Sequence, residues 1–227
     1  MQQKFTILFD LDGTLVDTAP DLMLAHNHVM KKFGYPTKSS EDIRNLVGKG
    51  AGAMIGRSIW GQAKKEFSKV DDQKIKDEMV KEFVNFYGKN IINKSTLING
   101  VKEFLKWCKD QDISMAVCTN KQEHLSKDLL KKIGIYDYFE FIAGSDTFDY
   151  CKPDPRHLTS VVEILDGHIN KTLMIGDSET DANAAKAAEI PVILLENGYT
   201  EKDTTEIYHN HLIKDFVDIE KIIAKYL

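Results

Sequence analysis

Two aspartates, Asp10 and Asp12, directly follow the apolar residues 5–9 of the chain. That apolar run does not alternate between hydrophobic and polar side chains, which predicts a strand buried on both faces. Residues two apart on a strand point to the same side, so the two carboxylates are expected to aim at one place where the strand ends. Because adjacent carboxylates repel, one of them would lose its charge unless a cation lay between them. The spacing therefore predicts that a cation accompanies the two acids.

Polar side chains follow three further predicted strands. The side chains are, in chain order, Thr119 and Asn120, then Lys152, then Asp177, Ser178 and Asp181. Ligands of open α/β sheets bind at the carboxyl ends of the strands. We therefore expect these side chains to meet Asp10 and Asp12 at one edge of the sheet.

The composition of this edge predicts metal-assisted chemistry on a phosphate group. Clustered carboxylates call for a hard divalent cation, and Mg²⁺ fits best because it takes one or two carboxylates and leaves positions for water and phosphate. Thr119, Asn120 and Lys152 are donors suited to phosphate oxygens. One carboxylate can attack phosphorus to form an acyl phosphate. The second can protonate the leaving oxygen and later deprotonate water.

The order of predicted elements favours an α/β fold in which a mostly parallel, Rossmann-like sheet carries helices on both faces. Strands and helices alternate from about residue 100 onward and end in a helix expected at 215–227, and the apolar run at residues 5–9 supplies a further strand. Between them the pattern is helical, with helices expected at 18–33, at 39–47, after Gly50 and from about residue 71. We therefore predict a catalytic core formed by residues 1–15 and 94–227, with residues 16–93 inserted as an all-helical cap.

At this point the sequence resembles the haloacid dehalogenase-like superfamily of phosphohydrolases. The four motifs of that superfamily appear in order at predicted strand ends, as "DLDGTLVDT", "CTN", "CKPDP" and "GDSETD". The resemblance implies that Asp10 is the nucleophile and Asp12 the general acid and base, while Thr119 and Lys152 hold the phosphoryl group. It also implies that Mg²⁺ is bound by Asp10, Asp177 and the backbone carbonyl of Asp12. Asp181 would support the metal site without binding the ion.

The segment "IRNLVGKGAGAMI", followed later by "INGVKEFLKW", is similar to the phosphoglycolate phosphatase branch of the superfamily. Within it, Arg44 and Lys49 flank Gly48 and Gly50 just before a predicted helix. Backbone N–H groups at a helix start favour an anion, so these four residues are candidates for binding a substrate carboxylate. The glycines could equally serve only to open the helix.

Three functions are compatible with this pattern. The first is an Mg²⁺-dependent phosphatase of a small phosphorylated carboxylic acid, with 2-phosphoglycolate as first choice and sugar phosphates (including a phosphomutase reaction) or pyrophosphate as alternatives. The second is a carbon–halogen hydrolase, which would need the nucleophile but not the acid Asp12. The third is a non-enzymatic phospho-acceptor switch, which typically carries no inserted cap.

Composition limits the partners. The chain has 227 residues, a net charge of −5 and no basic face or tail, which argues against nucleic acid. No apolar run approaches the roughly 20 residues that a membrane span needs, and the N-terminus leaves no room for a signal peptide. The three cysteines are widely spaced without a CxxC pair, which favours inert thiols in a reducing compartment. We expect a cytoplasmic enzyme, monomer or dimer, that acts on a small metabolite.

Overall fold

The computed structural model describes residues 4–61 and 70–227 of the chain. The first three residues, from which a cytoplasmic location is partly predicted, lie outside the described residues. Its centre is a sheet of six parallel strands in the spatial order β5-β4-β1-β6-β7-β8. The strands of this sheet are β1 (Thr6–Phe9), β4 (Ser114–Cys118), β5 (Phe141–Ala143), β6 (Thr172–Gly176), β7 (Val192–Leu195) and β8 (His211–Ile213). The predicted parallel α/β sheet is confirmed.

Nine α-helices lie within the described residues. They are α1 (Ala19–Lys32), α2 (Ser40–Arg44), α3 (Ala51–Trp60), α4 (Val70–Lys89), α5 (Val101–Asp110), α6 (Glu123–Ile133), α7 (Arg156–Ile164), α8 (Glu179–Ala187) and α9 (Glu220–Ile223). None of the described helices is both long and apolar enough to cross a membrane.

Both faces of the sheet are apolar, as the predicted pattern of residues 5–9 requires. Along β1, Ile7 and Phe9 belong to one buried cluster, whereas Leu8 between them belongs to a second cluster. The neighbouring strand β6 alternates in the same way, since Ile175 joins the first cluster and Met174 the second. Because successive side chains of a strand point to opposite faces, the two clusters are the two layers between sheet and helices. Burial on both faces holds these strands in place, and the predicted polar site residues follow the ends of such strands.

Helices α1–α4 leave the sheet and return to it through two very short strands. These strands, β2 (Val16–Asp17) and β3 (Thr96–Leu97), pair antiparallel outside the main sheet. Buried Asp21 fastens the return chain, because its carboxylate accepts hydrogen bonds from the backbone N–H of Lys94 and from both the N–H and hydroxyl of Ser95 at 2.7–3.0 Å. The inserted helices pack largely on one another, α1 on α4, α3 on α4 and α1 on α2. The division into a core and a separate cap domain at 16–93 stays a prediction, and part of that cap lies outside the described residues.

The structure shortens two of the predicted helices. The helix expected at 39–47 is the single short α2, and the closing helix expected at 215–227 is reduced to α9. Asp215 bonds to Asn99 and to the N–H of Val217 through its side chain, and Asp218 has a positive φ of 61°. Both features hold the backbone before Glu220 out of the helical conformation.

Candidate active site

Asp10 lies at the carboxyl end of β1 in the middle of the sheet. Its backbone N–H extends the β1–β6 ladder by donating to the Ile175 carbonyl at 2.9 Å, which fixes the start of its side chain. One carboxylate oxygen accepts a hydrogen bond from Lys152 Nζ at 2.8 Å. Burial raises the pKa of Asp10 to about 6, against the opposing effect of Lys152. The group is therefore still mainly a carboxylate at neutral pH, as a nucleophile requires.

Lys152 reaches this place from the loop between β5 and α7 and joins two acids. Its Nζ also donates to Asp181 Oδ1 at 2.5 Å, and the side chain is almost fully buried. Burial alone would lower the pKa of Lys152, but its ion pairs with Asp10 and Asp181 outweigh that effect and raise it. The lysine is thus a fixed positive charge beside the predicted nucleophile.

Asp177 and Asp181 follow β6 and have different surroundings. The Asp181 carboxylate is fully engaged, since its other oxygen accepts from the N–H of Asp177 and from the N–H and hydroxyl of Ser178 at 2.7–3.2 Å. Asp177 accepts from Thr14 Oγ1 at 3.3 Å and from the N–H of Tyr199 at 2.6 Å. Burial, with Asp10 and Asp181 nearby, holds the pKa of Asp177 well above its usual range. Such a group carries a charge more readily when a cation is bound beside it.

The glycine of the first motif is required by Asp177. Gly13 has a φ of +85°, and a Cβ at that position would lie 2.2 Å from Asp177 Oδ2. A side chain at residue 13 would therefore be strained and would also displace this carboxylate.

The residues present fit a divalent cation. Carboxylate oxygens of Asp10, Asp177 and Asp181 lie within 4.8 Å of one another, and all three residues are buried. Lys152 supplies one positive charge against these three acids. Because an excess of buried negative charge is costly, a hard cation with oxygen ligands would stabilise this cluster. Asp10 and Asp177 are the members with the fewest competing bonds, which agrees with a supporting role for Asp181.

Asp10 and Asp12 form ion pairs with different lysines: Asp10 pairs with Lys152, and Asp12 pairs with Lys121. Lys121 Nζ contacts both carboxylate oxygens of Asp12 at 2.6 and 2.7 Å, and Thr18 Oγ1 donates to one of them at 2.6 Å. Sequence reasoning expected a cation between the two acids and overlooked Lys121. Its position directly after Thr119 and Asn120 at a strand end was the available signal. Thr18 is the N-cap residue of α1, but its hydroxyl bonds to Asp12 and makes no capping hydrogen bond.

Thr119 and Asn120 follow β4 beside the two acids. The hydroxyl oxygen of Thr119 accepts from the N–H of Lys121 at 3.1 Å, which leaves its proton available for a phosphate oxygen. The amide group of Asn120 donates to the carbonyls of Gly48 and Lys152 at 3.1 and 2.9 Å. Both hydrogens of this amide are therefore used to join three loops, so Thr119 is the better phosphate donor of the two.

A cavity of about 270 Å³ opens in front of Asp10 and Asp12. Thr119, Asn120 and Lys121 line the cavity, together with the segment from Val47 to Met54. Its other lining residues are Leu22, Val80, Phe83, Val84, Tyr87, Gln122, Leu125, Ser145 and Cys151. This volume is just below the usual range for ligand pockets, roughly 300–1,000 Å³, and favours a small metabolite.

The predicted cap residues occupy different places. Gly48, Lys49 and Gly50 line the cavity, whereas Arg44 does not. The Arg44 guanidinium contacts both oxygens of Asp17 at 3.0 and 3.1 Å and lies 5.2 Å above the ring of Tyr199. The structure thus brings the two glycines and Lys49 to the core site and places Arg44 apart from it.

Gly50 has a structural reason to be glycine. Its φ is +83°, and a Cβ would lie 3.2 Å from the carbonyl oxygen of Asn120. A valine at this position would strain the loop whether or not the loop binds substrate. The alternative in which the glycines serve only to open α3 therefore has direct support at Gly50.

Comparisons with known proteins agree with this geometry. Residues 7–195 match the family model "Haloacid dehalogenase-like hydrolase". The chain is 39% identical over 210 residues to a phosphoglycolate phosphatase of Mesorhizobium japonicum, which covers 92% of this chain and 90% of the relative. It is similar to a crystal structure of a predicted phosphoglycolate phosphatase from Haemophilus somnus, with a TM-score of 0.88, 32% identity and coverage of 98% and 99% of the two chains. The chain belongs to the haloacid dehalogenase-like hydrolase family.

Proposed function

We propose that this protein is an Mg²⁺-dependent phosphatase that hydrolyses a small phosphorylated carboxylic acid through an aspartyl-phosphate intermediate, with 2-phosphoglycolate as the first choice. One observation carries the proposal: the buried carboxylate of Asp10 has a fixed cation, Lys152, on one side and a small cavity in front of it. The relatives named phosphoglycolate phosphatase support the choice of substrate.

The first chemical step transfers the phosphoryl group to Asp10. A carboxylate oxygen of Asp10 forms a bond to phosphorus while the bond from phosphorus to the ester oxygen breaks. Asp12 donates a proton to that departing oxygen, which leaves as an alcohol. Lys152 and the hydroxyl of Thr119 hold the phosphoryl oxygens as charge develops on them.

The second step returns the enzyme to its starting state. Asp12, now a carboxylate, accepts a proton from water as the water oxygen attacks phosphorus. The bond between phosphorus and Asp10 breaks, and inorganic phosphate and the free Asp10 carboxylate result. Asp12 ends the cycle protonated and ready for the next ester.

Asp10, Asp177 and the backbone carbonyl of Asp12 would hold Mg²⁺, with Asp181 orienting Lys152 and the loop after β6. When bound, the ion would neutralise phosphate charge and orient the phosphoryl group toward Asp10.

Each of the two non-phosphatase alternatives would leave either Asp12 or the cavity without a use. A carbon–halogen hydrolase would have no leaving oxygen to protonate, and a phospho-acceptor switch would need no enclosed pocket. Asp12 held beside a cavity argues for an ester substrate over both. Sugar phosphates and pyrophosphate remain the second choice, because Asp10, Asp12, Thr119 and Lys152 would act only on the phosphoryl group and its leaving oxygen.

We further propose a cytoplasmic enzyme, monomer or dimer, with no nucleic-acid or membrane partner. The buried thiols support this: Cys108 and Cys118 are free and buried, and burial raises the pKa of both. Such thiols are unreactive and need no oxidising compartment.

The test of the substrate is kcat/KM over a panel of 2-phosphoglycolate, hexose phosphates, nucleoside monophosphates and pyrophosphate. We expect 2-phosphoglycolate among the best few. If a hexose phosphate or pyrophosphate exceeds it clearly, the substrate is wrong while the phosphatase remains. If no ester or anhydride is hydrolysed in the presence of Mg²⁺, the proposed function itself fails.

Removal of the divalent cation should abolish most turnover. Metal stabilisation of phosphoryl charge amounts to several kcal/mol, so excess chelator is expected to lower kcat by on the order of 10³-fold, and added Mg²⁺ should restore it. Ca²⁺ should inhibit, because it takes more ligands in a looser geometry and would misplace Asp10 relative to phosphorus. Full activity in chelator, or undiminished activity in Ca²⁺ alone, would contradict this prediction. As a binding control without turnover, Mg²⁺ should raise the unfolding temperature of the protein, and less so after Asp177→Asn.

A further inference from the structure

The carboxylate at the far end of the proposed substrate would need a cation that lines the cavity. Among the described residues, the cations that line it are Lys49 and Lys121. Arg44 is already paired with Asp17 and lies elsewhere. Lys49 is exposed, whereas Lys121 is 9% exposed and its Nζ contacts Asp12. Lys121, which is paired with the acid proposed to act on the ester oxygen, is therefore a stronger candidate for binding a second anion than the cap cations that the sequence suggested.

The surroundings of Lys121 combine a charge with an apolar support. Its Nζ contacts both oxygens of Asp12 and lies 4.7 Å from the ring centre of Tyr87, which comes from α4. A lysine above an aromatic face gains a cation–π interaction, and more so when both are removed from water. The ammonium group is thus held at one point of the cavity by a core acid and a helix of the insertion.

Tyr87 supplies a second observation at the same point. The residue is 1% exposed and lines the cavity, and its buried hydroxyl has no hydrogen-bond partner in the described part of the chain. A buried hydroxyl without a partner is costly, and at the wall of a cavity a bound ligand that accepts its hydrogen bond would remove that cost. Burial, with Asp12 nearby, holds the pKa of Tyr87 well above its ordinary value, so the hydroxyl can act as a donor.

We propose that Lys121 and Tyr87 bind the second, carboxylate end of the substrate, and that this carboxylate takes Lys121 away from Asp12. The inference rests on the proposed function and adds to it the residues that select the substrate. Two parts of the chain contribute to this site, the loop after β4 and helix α4.

This exchange of ion pairs couples recognition to chemistry. In the structure Asp12 is held by Lys121 and Thr18, so its carboxylate is occupied as an acceptor. A substrate carboxylate offers Lys121 an equivalent partner, and Asp12, no longer paired with the ammonium group, can take from solvent water the proton that it donates to the ester oxygen. With an ester that lacks a second anion, Lys121 stays paired with Asp12. Such an ester makes no ion pair with Lys121 and does not free Asp12 for the leaving oxygen. Selection for a carboxylate is therefore expected to appear in kcat as well as in KM.

The test compares 2-phosphoglycolate with ethyl phosphate, which has the same length but no carboxylate. Lys121→Met keeps the apolar stem against Tyr87 and removes the charge. We expect the ratio of kcat/KM for the two esters to fall by on the order of 10- to 100-fold in this variant, the size of a lost hydrogen bond to a charged group. Lys121→Arg keeps the charge and should retain most of the ratio, and both variants are checked by their unfolding temperature.

Lys49→Met is the matched control, because it removes a lysine that lines the same cavity without contacting Asp12. Its ratio should change by no more than about fivefold, as for an exposed charge. Tyr87→Phe should raise KM for 2-phosphoglycolate by up to about tenfold and leave KM for ethyl phosphate nearly unchanged.

Binding gives a readout that does not depend on turnover. In the Asp10→Asn protein, the dissociation constant of 2-phosphoglycolate should rise on adding Lys121→Met, while that of ethyl phosphate should not. The inference is overturned if Lys121→Met lowers both esters equally, or if Lys49→Met is the variant that removes the ratio. If the wild-type protein hydrolyses neither these two esters nor any other phosphate compound of the substrate panel, the proposed function fails, and the binding comparison still decides whether Lys121 and Tyr87 recognise the carboxylate.

Discussion

Asp10→Asn is expected to abolish turnover while leaving the fold intact. Asparagine keeps an oxygen that can accept the hydrogen bond from Lys152 Nζ, which lies at 2.8 Å from Asp10. It is a far weaker nucleophile than a carboxylate, and removal of a nucleophile in a covalent mechanism can cost on the order of 10⁶-fold in kcat. The measurement is steady-state hydrolysis of 2-phosphoglycolate and p-nitrophenyl phosphate in Mg²⁺, with the unfolding temperature recorded for the same samples.

Asp149→Asn is a matched control for this experiment. It makes the same chemical change at an exposed residue of the loop that carries Lys152, and its activity should stay close to wild type. Brief incubation of the wild-type protein with substrate, followed by acid quench, should also trap phosphate on the chain, and Asp10→Asn should trap none. Hydrolysis by Asp10→Asn above contamination, or trapped phosphate that persists in it, would remove Asp10 from the role of nucleophile.

The fold and the centre of the site could be predicted because one rule connects them. Apolar runs that cannot alternate are strands buried on both faces, and polar residues just after such strands must meet at one edge of a parallel sheet. The prediction needed only the order of strands and the residue that follows each of them. Asp10, Lys152 and Asp177 are accordingly close together in the structure, although no two of them are neighbours in the chain.

What sequence reasoning missed depends on which long side chain meets which partner. Lys121 and Arg44 both have long cationic side chains close in sequence to predicted site residues, and the sequence alone favoured Arg44 for binding the substrate carboxylate. The fold gives Arg44 a partner at Asp17 and gives Lys121 a partner at Asp12. The first pairing joins α2 to β2, and the second joins the loops that follow the neighbouring strands β1 and β4; neither has a periodicity that a pattern can report.

The short elements escaped prediction for a related reason. Strands β2 and β3 have two residues each, too few for any alternation to appear. They exist because the chain crosses between sheet and helices twice, and the two crossings pair. Asp21 is buried at this crossing and holds it through hydrogen bonds to the returning chain.

Loss of Asp12 should harm substrates according to their leaving groups. A positioned acid contributes on the order of 10²- to 10⁴-fold when the departing oxygen needs a proton. The alcohol oxygen of 2-phosphoglycolate needs one, whereas p-nitrophenolate leaves readily without it. Asp12→Asn is therefore expected to lower kcat for 2-phosphoglycolate by this full factor and to lower formation of the aspartyl-phosphate from p-nitrophenyl phosphate much less.

Asparagine is preferable to alanine at this position because of the ion pair with Lys121. Its side-chain oxygen can still accept from Lys121 and Thr18, so the buried ammonium group keeps a hydrogen-bond partner; alanine would leave it with none. Comparing the two variants separates loss of the acid from disturbance of the pocket: both lose the acid, but alanine alone should also lower the unfolding temperature markedly. The burst of p-nitrophenolate isolates the first chemical step, since the later attack of water needs Asp12 as a base for either substrate. If Asp12→Asn slows that burst as much as it slows release of glycolate from 2-phosphoglycolate, Asp12 does not protonate the leaving group, and its contact with Lys121 serves only to hold the two loops together.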